Sequence, residues 1–215
     1  MNVFLGTYWE VLDAARETVG IDLVVVEDKP TAARAAEHAR RCGIPVAVLA
    51  QGARLSDIFP SSVDLAVVGS FGRILRMPVI GRCKAVLNVH PGIVEVCRGR
   101  HTLPVNVLRG DPMMGITFHL IESEEIDAGP IVAQIRLPID YDADFDANHA
   151  RLRRALEPMA RLVLAEYASR GVFPAWAWTP TPDSYHPPVP PETFRTVLEA
   201  GRLADCVRMP VDRTP

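Results

Sequence analysis

The sequence predicts an α/β fold in which a mostly parallel, twisted β-sheet carries helices on both faces, followed by a proline-rich C-terminal arm or hairpin. Short apolar runs rich in β-branched residues alternate with helical patterns through the first 90 of the 215 residues. Only a few residues link one run to the next, which is typical of parallel sheets with crossover helices. The arm is predicted because residues 171–215 hold nine of the 19 prolines.

The N-terminal part supplies most strands and helices of the predicted sheet. Apolar residues at helical spacing predict a helix over 9–19. A second helix begins at Pro30 and ends before Gly43, the usual places for these residue types. The run IDLVVVED is almost uninterrupted by polar residues, as in a strand covered on both faces. Strands are predicted, in chain order, at 2–5, 21–28, 44–49, 63–70 and 85–90.

The alternation becomes less regular in the second half of the chain. A short helix over 101–109 ends at Gly110, and two strands, 115–121 and 131–139, are joined by the acidic loop ESEEIDAGP. Apolar residues at helical spacing predict the longest helix at 147–168.

The C-terminal arm, residues 171–215, follows a domain predicted to span 1–170 and to contain the Rossmann-like sheet. The centre of the arm, TPTPDSYHPPVPPETF, is too rich in proline to form a helix or a central strand. Four aromatic side chains give the arm something to bury against the core, or against a partner subunit in a homodimer: Trp176, Trp178, Tyr185 and Phe194.

Composition limits the functions that the chain can have. Its 48% apolar and 23% charged residues are those of an ordinary globular protein. The net charge of −3 argues against a nucleic-acid binder, which is usually basic. No apolar run is long enough to span a membrane, and the N-terminus lacks the features of a signal peptide. Scattered cysteines without a CxxC pair argue against a zinc site and favour reduced thiols in the cytoplasm: Cys42, Cys83, Cys97 and Cys206.

The motif NVHPG, residues 88–92, ends a predicted parallel strand, and ligands of open α/β sheets bind beyond such strand ends. Asn88 and His90 are two residues apart, so in an extended strand their side chains point to the same side. An amide donor beside an imidazole can stabilise an oxyanion, and the imidazole can also transfer a proton. A capping asparagine and a turn histidine are the alternative interpretation.

Asp127 lies at the inner end of the acidic loop, just before Ala-Gly-Pro and an apolar strand. A carboxylate at this place can orient His90, although acidic loops are usually just solvated. The stretch GSFGRIL, residues 69–75, has a glycine pair that resembles a phosphate-binding turn. No GxGxxG or GxxxxGK[ST] motif is present, so neither a dinucleotide site nor a P-loop is predicted.

Together these stretches resemble the folate-dependent formyltransferase family, with a layout closest to sugar N-formyltransferases. The resemblance rests on the order GSFGRIL, NVHPG, Arg98-Gly99, GITFHL and EEIDAGPIVAQ, with Arg98 eight residues after His90. It covers roughly residues 60–136, and the N-terminal strands and helices fit the same fold.

The resemblance implies that N10-formyltetrahydrofolate donates a formyl group to an amine and that no metal takes part. It implies that Asn88 and His90 bind the formyl oxygen, and that Asp127 orients His90 or a bridging water. The pterin ring of the donor would bind the backbone of two stretches, which are Arg73, Ile74 and Leu75 in the first and Glu124, Glu125 and Ile126 in the second.

On the acceptor side, the resemblance implies contacts from Arg98 and Gly99. His119 matches the strand histidine of the family, and a buried, hydrogen-bonded core histidine is its alternative interpretation. Trp178 and Tyr185 are predicted to contact the acceptor, one of them by stacking on a nucleotide base.

Three departures from the family pattern alter the predicted acceptor wall. Where the family commonly has HPSLLPxYRG, this chain has Gly92 for serine, Glu95 for proline and Cys97 for tyrosine. The departures leave the identity of the acceptor open. Cys97 is predicted to be a packed small hydrophobe rather than a reactive thiol.

The sequence favours a nucleotide-linked amino sugar as the acceptor, because the aromatic, proline-containing arm resembles the hairpin of sugar formyltransferases. A tRNA formyltransferase is expected to carry a second, basic domain. The glycinamide ribonucleotide enzyme is expected to have a Gly/Ser-rich loop where this chain has LGTYWEVLD. The alternatives are another small amine, such as an amino-acid side chain or a natural-product intermediate, hydrolysis of the formyl folate, and folate or nucleotide binding without catalysis.

Overall fold

The computed structural model describes residues 1–207, which form two compact units that are each discontinuous in sequence. Unit 1 consists of Met1–His90, Phe118–Ala133 and Leu156–Trp178. Unit 2 consists of Pro91–Thr117, Gln134–Ala155 and the chain from Thr179 onward. The division into a domain 1–170 and an arm therefore stays a prediction, and residues 208–215 of that arm lie outside the described residues.

A seven-stranded sheet has the order β3-β2-β1-β4-β5-β7-β8, and its first five strands pair in parallel. Helices lie on both sides of it, which confirms the predicted Rossmann-like α/β fold. The strands of the sheet are β1 Asn2–Gly6, β2 Leu23–Glu27, β3 Val46–Leu49, β4 Val63–Gly69, β5 Cys83–His90, β7 Met113–Leu120 and β8 Ile131–Pro138. The helices are α1 Trp9–Thr18, α2 Ala33–Arg41, α3 Leu55–Ile58, α4 Met77–Ile80, α5 Thr102–Arg109, α6 Phe145–Arg170 and α7 Pro191–Glu199.

The core of unit 1 explains why the central strands read as nearly continuous apolar runs. Both faces of β1, β2 and β4 are covered, so almost every side chain in them is buried.

At the carboxyl edge of the sheet, Gly6 adopts φ +127°, and a Cβ there would lie 2.0 Å from the Gly69 carbonyl oxygen. The amides of Thr7 and Tyr8 both donate to that oxygen, at 2.8 and 3.1 Å. These two hydrogen bonds join the carboxyl ends of β1 and β4.

Unit 2 contains the part of the arm whose secondary structure differs from the prediction. A short parallel pair joins β6 (Arg98–Gly99) to β9 (Tyr185–His186). The prediction that residues up to 194 form no helix was wrong, because α7 begins at Pro191. Proline is compatible with the first turn of a helix, where its missing N–H has no partner to lose, and the segment after it contains no further proline.

The aromatic side chains of the arm are less buried than predicted. Trp176 is 50% exposed and Tyr185 is 41% exposed, whereas Trp178 and Phe194 are half-buried. The ring of Phe194 stacks on His101, with the ring centroids 4.4 Å apart. Only part of the arm's aromatic surface is therefore used for packing.

Candidate active site

Three predicted catalytic residues come together in unit 1. Asn88 and His90 lie on the same side of β5 near its carboxyl end, and Asp127 comes from the loop after β7. The two nitrogens Asn88 Nδ2 and His90 Nδ1 each lie 3.2 Å from a carboxylate oxygen of Asp127, Oδ1 and Oδ2 respectively. His90 is 3% exposed, and the Asp127 side chain is largely buried. A buried carboxylate thus orients both groups that were predicted to serve the formyl oxygen.

His119, on β7, is a fourth member of this cluster. Its Nε2 lies 2.9 Å from Asn88 Nδ2 and 3.3 Å from Asp127 Oδ1, and its Nδ1 lies 3.0 Å from the Leu120 carbonyl oxygen. A carbonyl oxygen only accepts, so Nδ1 carries a proton, and Nε2 is the ring atom that faces the Asn88 amide and the Asp127 carboxylate. The structure therefore places His119 beside the three predicted catalytic residues, and its predicted contact with the acceptor stays a prediction.

The loop that carries Asp127 is strained and tightly held. Asp127 has φ +48°, a left-handed conformation that non-glycine residues adopt rarely and often at functional sites. Two residues later, a Cβ on Gly129 would lie 1.8 Å from the Leu120 carbonyl oxygen, so only glycine fits there. The Gly129 carbonyl oxygen accepts a 3.0 Å hydrogen bond from the Trp178 indole Nε1. These contacts fix the direction of the Asp127 carboxylate.

Glu124, in the second stretch predicted to bind the donor, contacts the two residues that follow the first stretch. Glu124 accepts a 2.9 Å hydrogen bond from the Met77 amide and pairs with Arg76 at 2.6 Å. These two contacts hold the pKa of Glu124 below its usual value, so the carboxylate stays charged. Ile74 is 47% exposed, whereas the Leu75 side chain is buried in the core. Ile74 is thus available to cover a ligand, and Leu75 anchors the stretch.

A cavity of about 200 Å³ lies along the first half of β5; Lys84 and Glu122 belong to its lining, and no residue of the two stretches does. Val86, which lines it, precedes Asn88 by two residues, and Leu120 follows His119 directly. Ile80, Cys83 and Ile121 complete most of its apolar lining. Burial raises the pKa of the Cys83 thiol to about 11, so this sulfur stays protonated and acts as an apolar lining atom.

In unit 2, Arg98 and Gly99 hold the C-terminal segment. Arg98 is 5% exposed, and its guanidinium donates to Ser184 Oγ at 2.9 Å and to the Thr181 carbonyl oxygen at 3.1 Å. A Cβ on Gly99 would lie 2.5 Å from the His186 carbonyl oxygen, so glycine permits the close approach of β9. The predicted acceptor contacts of Arg98, Gly99 and Tyr185 stay predictions.

The altered segment after His90 is held by side-chain contacts within unit 2. Glu95 accepts a 2.7 Å hydrogen bond from Gln134 Nε2 and pairs with Arg136 at 3.1 Å. Cys97 is fully buried, as expected for a packed small side chain. All four cysteines are free thiols.

Within residues 1–207, no three His, Cys, Asp or Glu side chains converge in a way that could hold a metal ion. Over the same range, no helix is both long and apolar enough to cross a membrane.

Comparison with known sequences decides the family. Residues 8–163, well over half of the chain, match the sequence profile of the formyl transferase family. The chain belongs to this family. Methionyl-tRNA formyltransferase of Roseiflexus castenholzii is 30% identical over 175 residues, which make up 76% of this chain and 55% of that protein. The mitochondrial methionyl-tRNA formyltransferase of Homo sapiens is 34% identical over 103 residues, 45% of this chain and 26% of that protein. The chain spans about half the length of the curated bacterial relatives it matches.

Solved structures of formyltransferases share the fold of this family member. WlaRD, a sugar 3N-formyltransferase solved with dTDP and 5-N-formyl-THF, has a TM-score of 0.71 at 16% identity, covering 86% of this chain and 68% of that one. The N-formyltransferase of Helicobacter canadensis, solved with folinic acid and dTDP-3-aminofucose, has a TM-score of 0.70 at 15% identity, covering 86% and 70%. Phosphoribosylglycinamide formyltransferase of Bacillus halodurans has a TM-score of 0.64 at 17% identity, covering 80% and 97%. At these identities the likeness establishes the fold.

Proposed function

We propose that this chain transfers the formyl group of N10-formyltetrahydrofolate to the primary amine of a small acceptor. The observation that carries the proposal is the buried cluster in which Asn88, His90 and His119 surround the Asp127 carboxylate, within 3.3 Å of its oxygens. An oxyanion donor, a proton-transferring imidazole and an orienting carboxylate are the groups that acyl transfer to an amine requires. The family membership of the chain supports the same reaction class.

The donor fits the residues present in unit 1. The exposed Ile74 side chain can cover one face of a pterin, and backbone groups near Ile74 and Ile126 can match its polar edge. When bound, the folate supplies a formyl carbon on a nitrogen that is ready to leave.

The Asn88 amide is the candidate donor to the formyl oxygen. A carboxylate only accepts, so the Asn88 atom facing Asp127 is the nitrogen. Its two hydrogens point at Asp127 and His119 in the structure. A formyl oxygen that enters the site must share one of these hydrogens, and its hold on that hydrogen strengthens as the oxygen gains negative charge. Such donors typically contribute ~10²–10³ to turnover.

His90 is the candidate group for proton transfer. Asp127 lies at its Nδ1, and this contact selects the tautomer in which Nδ1 carries the proton. Nε2 then has the lone pair that can take a proton from the attacking amine, directly or through a water. Asp127 also contacts the Asn88 amide. One carboxylate therefore orients both the Asn88 amide and the His90 imidazole.

For the acceptor we propose a nucleotide-linked amino sugar. One structure with a TM-score of 0.71 is a sugar 3N-formyltransferase, and another, with a TM-score of 0.70, is an N-formyltransferase solved with dTDP-3-aminofucose; each match covers 86% of this chain. The net charge of −3 suits a small acceptor better than a polynucleotide. We place the reaction in the cytoplasm, since the four free thiols suit a reducing compartment, and we propose a homodimer.

A second candidate acceptor is methionyl-tRNA. It is favoured by one specific observation, the 30% identity over 76% of this chain to methionyl-tRNA formyltransferase of Roseiflexus castenholzii. The two candidates differ in size and charge, so they are separated by acceptor assay and by salt dependence. A tRNA substrate would lose affinity steeply as salt rises, because bound cations are released from its phosphates.

The test is a product screen with a labelled donor. The purified chain is incubated with [¹³C-formyl]-N10-formyltetrahydrofolate and a panel of amines that includes dTDP-linked amino sugars, glycinamide ribonucleotide, amino acids and methionyl-tRNA. A labelled N-formyl product identified by mass spectrometry supports transfer and names the acceptor class. Labelled formate in every reaction, with no N-formyl product, would replace transfer with hydrolysis.

A further inference from the structure

Glu27, at the carboxyl end of β2, reaches the stretch that is proposed to bind the donor. Its Oε2 accepts a 2.7 Å hydrogen bond from the Gly72 amide, 45 residues further along the chain. The Lys29 ammonium lies 2.5 Å from the same oxygen, and Arg73 Nε lies 3.8 Å from Oε1. Only 14% of the Glu27 side chain is exposed. This carboxylate therefore joins the end of one strand to the loop that follows another.

The loop is shaped around the carboxylate. A Cβ on Gly72 would lie 2.8 Å from Glu27 Oε2 and 2.9 Å from Oε1, so the Glu27 side chain occupies the space of any larger residue. Ser70, at the start of the loop, has φ +60°, a conformation that needs support from its surroundings. The loop has no regular secondary structure, so the Gly72 amide has no partner in a strand or helix. Glu27 accepts its hydrogen bond instead.

The Arg73 side chain secures the other end of the loop. Its guanidinium donates to the carbonyl oxygens of Ala50 and Ala53, the Ala50 contact being 3.0 Å long. These two carbonyls lie in the turn after β3. Arg73 and Glu27 together tie the loop to two neighbouring connections at the carboxyl edge of the sheet.

The carboxylate keeps its charge at neutral pH. Burial raises the pKa of Glu27, but the hydrogen bonds from Lys29 and the Gly72 amide outweigh it and hold the pKa below its usual value. A charged acceptor makes a stronger hydrogen bond to an amide than a neutral one does. The hydrogen bond from the Gly72 amide to Glu27 is therefore a charge-assisted one.

We propose that Glu27 is a positioning residue for the formyl donor, because it fixes the backbone from Gly72 to Leu75 on which the pterin ring is bound. This inference rests on the proposed function and adds a residue that the motifs do not contain. Glu27 acts through the loop, so its loss should weaken donor binding and leave the chemical step largely unchanged.

The test compares Glu27→Ala with Glu27→Gln, which keeps a side-chain oxygen that can accept from the Gly72 amide. Affinity for 5-formyltetrahydrofolate, the unreactive isomer of the donor, is measured by calorimetry. The donor KM, the acceptor KM and kcat are measured separately. Glu37→Ala is the matched control, because Glu37 is an exposed carboxylate whose ion pair with Arg41 is 3.7 Å long.

The expected result is a rise of at least tenfold in Kd and donor KM for Glu27→Ala, equivalent to about 1.4 kcal/mol. Its kcat and acceptor KM should stay within about threefold of the unmodified protein. Glu27→Gln should recover most of the affinity. Gly72→Ala should weaken binding in the same way, since its methyl group meets the intact Glu27 carboxylate.

Donor affinity unchanged in Glu27→Ala would overturn the inference while the proposed function stands. Equal losses of donor affinity, acceptor affinity and kcat would also overturn it, because they indicate general damage to the fold. If the unmodified chain does not bind 5-formyltetrahydrofolate, the proposed function fails together with the inference.

Discussion

The indole Nε1 of Trp178 donates a 3.0 Å hydrogen bond to the carbonyl oxygen of Gly129. Gly129 lies two residues after Asp127, in the loop whose left-handed backbone directs the Asp127 carboxylate. An aromatic residue predicted to contact the acceptor thus supports the loop of the candidate catalytic carboxylate. Its stacking on an acceptor stays a prediction, while the hydrogen bond makes Trp178 part of the scaffold of the site.

Replacing Trp178 by phenylalanine tests this support. The ring is kept and the indole donor is lost, so the Gly129 carbonyl loses a bond of about 0.5–1.5 kcal/mol. We expect kcat to fall about three- to tenfold with donor affinity unchanged. Trp176→Phe is the control, since Trp176 pairs with Ile131 through its backbone and its side chain is half-exposed. Equal effects of the two substitutions would contradict a specific role for the indole N–H.

Asp127→Asn removes the carboxylate with little change of shape. Asparagine tolerates a positive φ well, so the loop should keep its conformation. The amide cannot accept from both Asn88 and His90 as the carboxylate does, and we expect kcat to fall at least ~100-fold. Glu166→Gln is the control and should leave kcat unchanged, because the Glu166 side chain is 41% exposed on α6.

Asp127→Asn and His90→Ala should not be additive. If Asp127 works by orienting His90, the double variant should be little slower than the slower single variant. Steady-state kinetics of the two single variants and the double variant give the coupling. Losses that multiply would show that the two residues act independently, which contradicts the arrangement proposed for the site.

The central sheet and the proximity of Asn88 and His90 could be predicted from the sequence, for clear physical reasons. Buried parallel strands are almost purely apolar, and β4 and β5 were therefore recognised within two residues at each end. Asn88 and His90 share one side of a strand because side chains alternate along it. Their meeting with Asp127 could be expected from the resemblance to a family, and the structure supplies the distances.

The parts that could not be predicted depend on contacts between distant segments. Nothing near Glu27 in the sequence indicates that its carboxylate meets Gly72, and nothing near Trp178 indicates Gly129. Helix α7 was not predicted, because the sequence does not distinguish Pro191, which begins a helix, from the other prolines of the arm. The packing of Arg98 against Ser184 is likewise set by tertiary structure and not by a local pattern.

Arg98→Ala should destabilise the protein. The Arg98 guanidinium is buried and donates to Ser184 and to the Thr181 carbonyl oxygen, and hydrogen bonds from charged groups contribute about 1.5–3 kcal/mol each. We expect the free energy of unfolding in urea to fall by at least that amount, with an unchanged slope. Arg100→Ala, which removes an exposed side chain, is the control. Equal midpoints for the two variants would contradict this account of how the C-terminal segment is held.

Asp64 should contribute stability that disappears in acid. Hydrogen bonds from Lys84 and the N-terminal ammonium lower the pKa of Asp64 from 3.8 to about 2. A carboxyl group with a depressed pKa in the folded state stabilises the protein above its unfolded pKa, and the effect is lost as pH falls through the folded pKa. The gap in Tm between the unmodified protein and Asp64→Asn should be constant from pH 5 to 7 and narrow below about pH 4. A gap that widens in acid would contradict the lowered pKa.

The most direct test of the proposed function is the amine-dependent turnover of N10-formyltetrahydrofolate by the unmodified chain and by Asp127→Asn, each supplied with the acceptor found in the product screen. The rate of tetrahydrofolate formation is followed beside the amount of N-formyl product. We expect one N-formyl product for each folate consumed by the unmodified chain, and a rate at least ~100-fold lower for Asp127→Asn with donor affinity retained. Folate consumption without N-formyl product, or near-native turnover by Asp127→Asn, would contradict it.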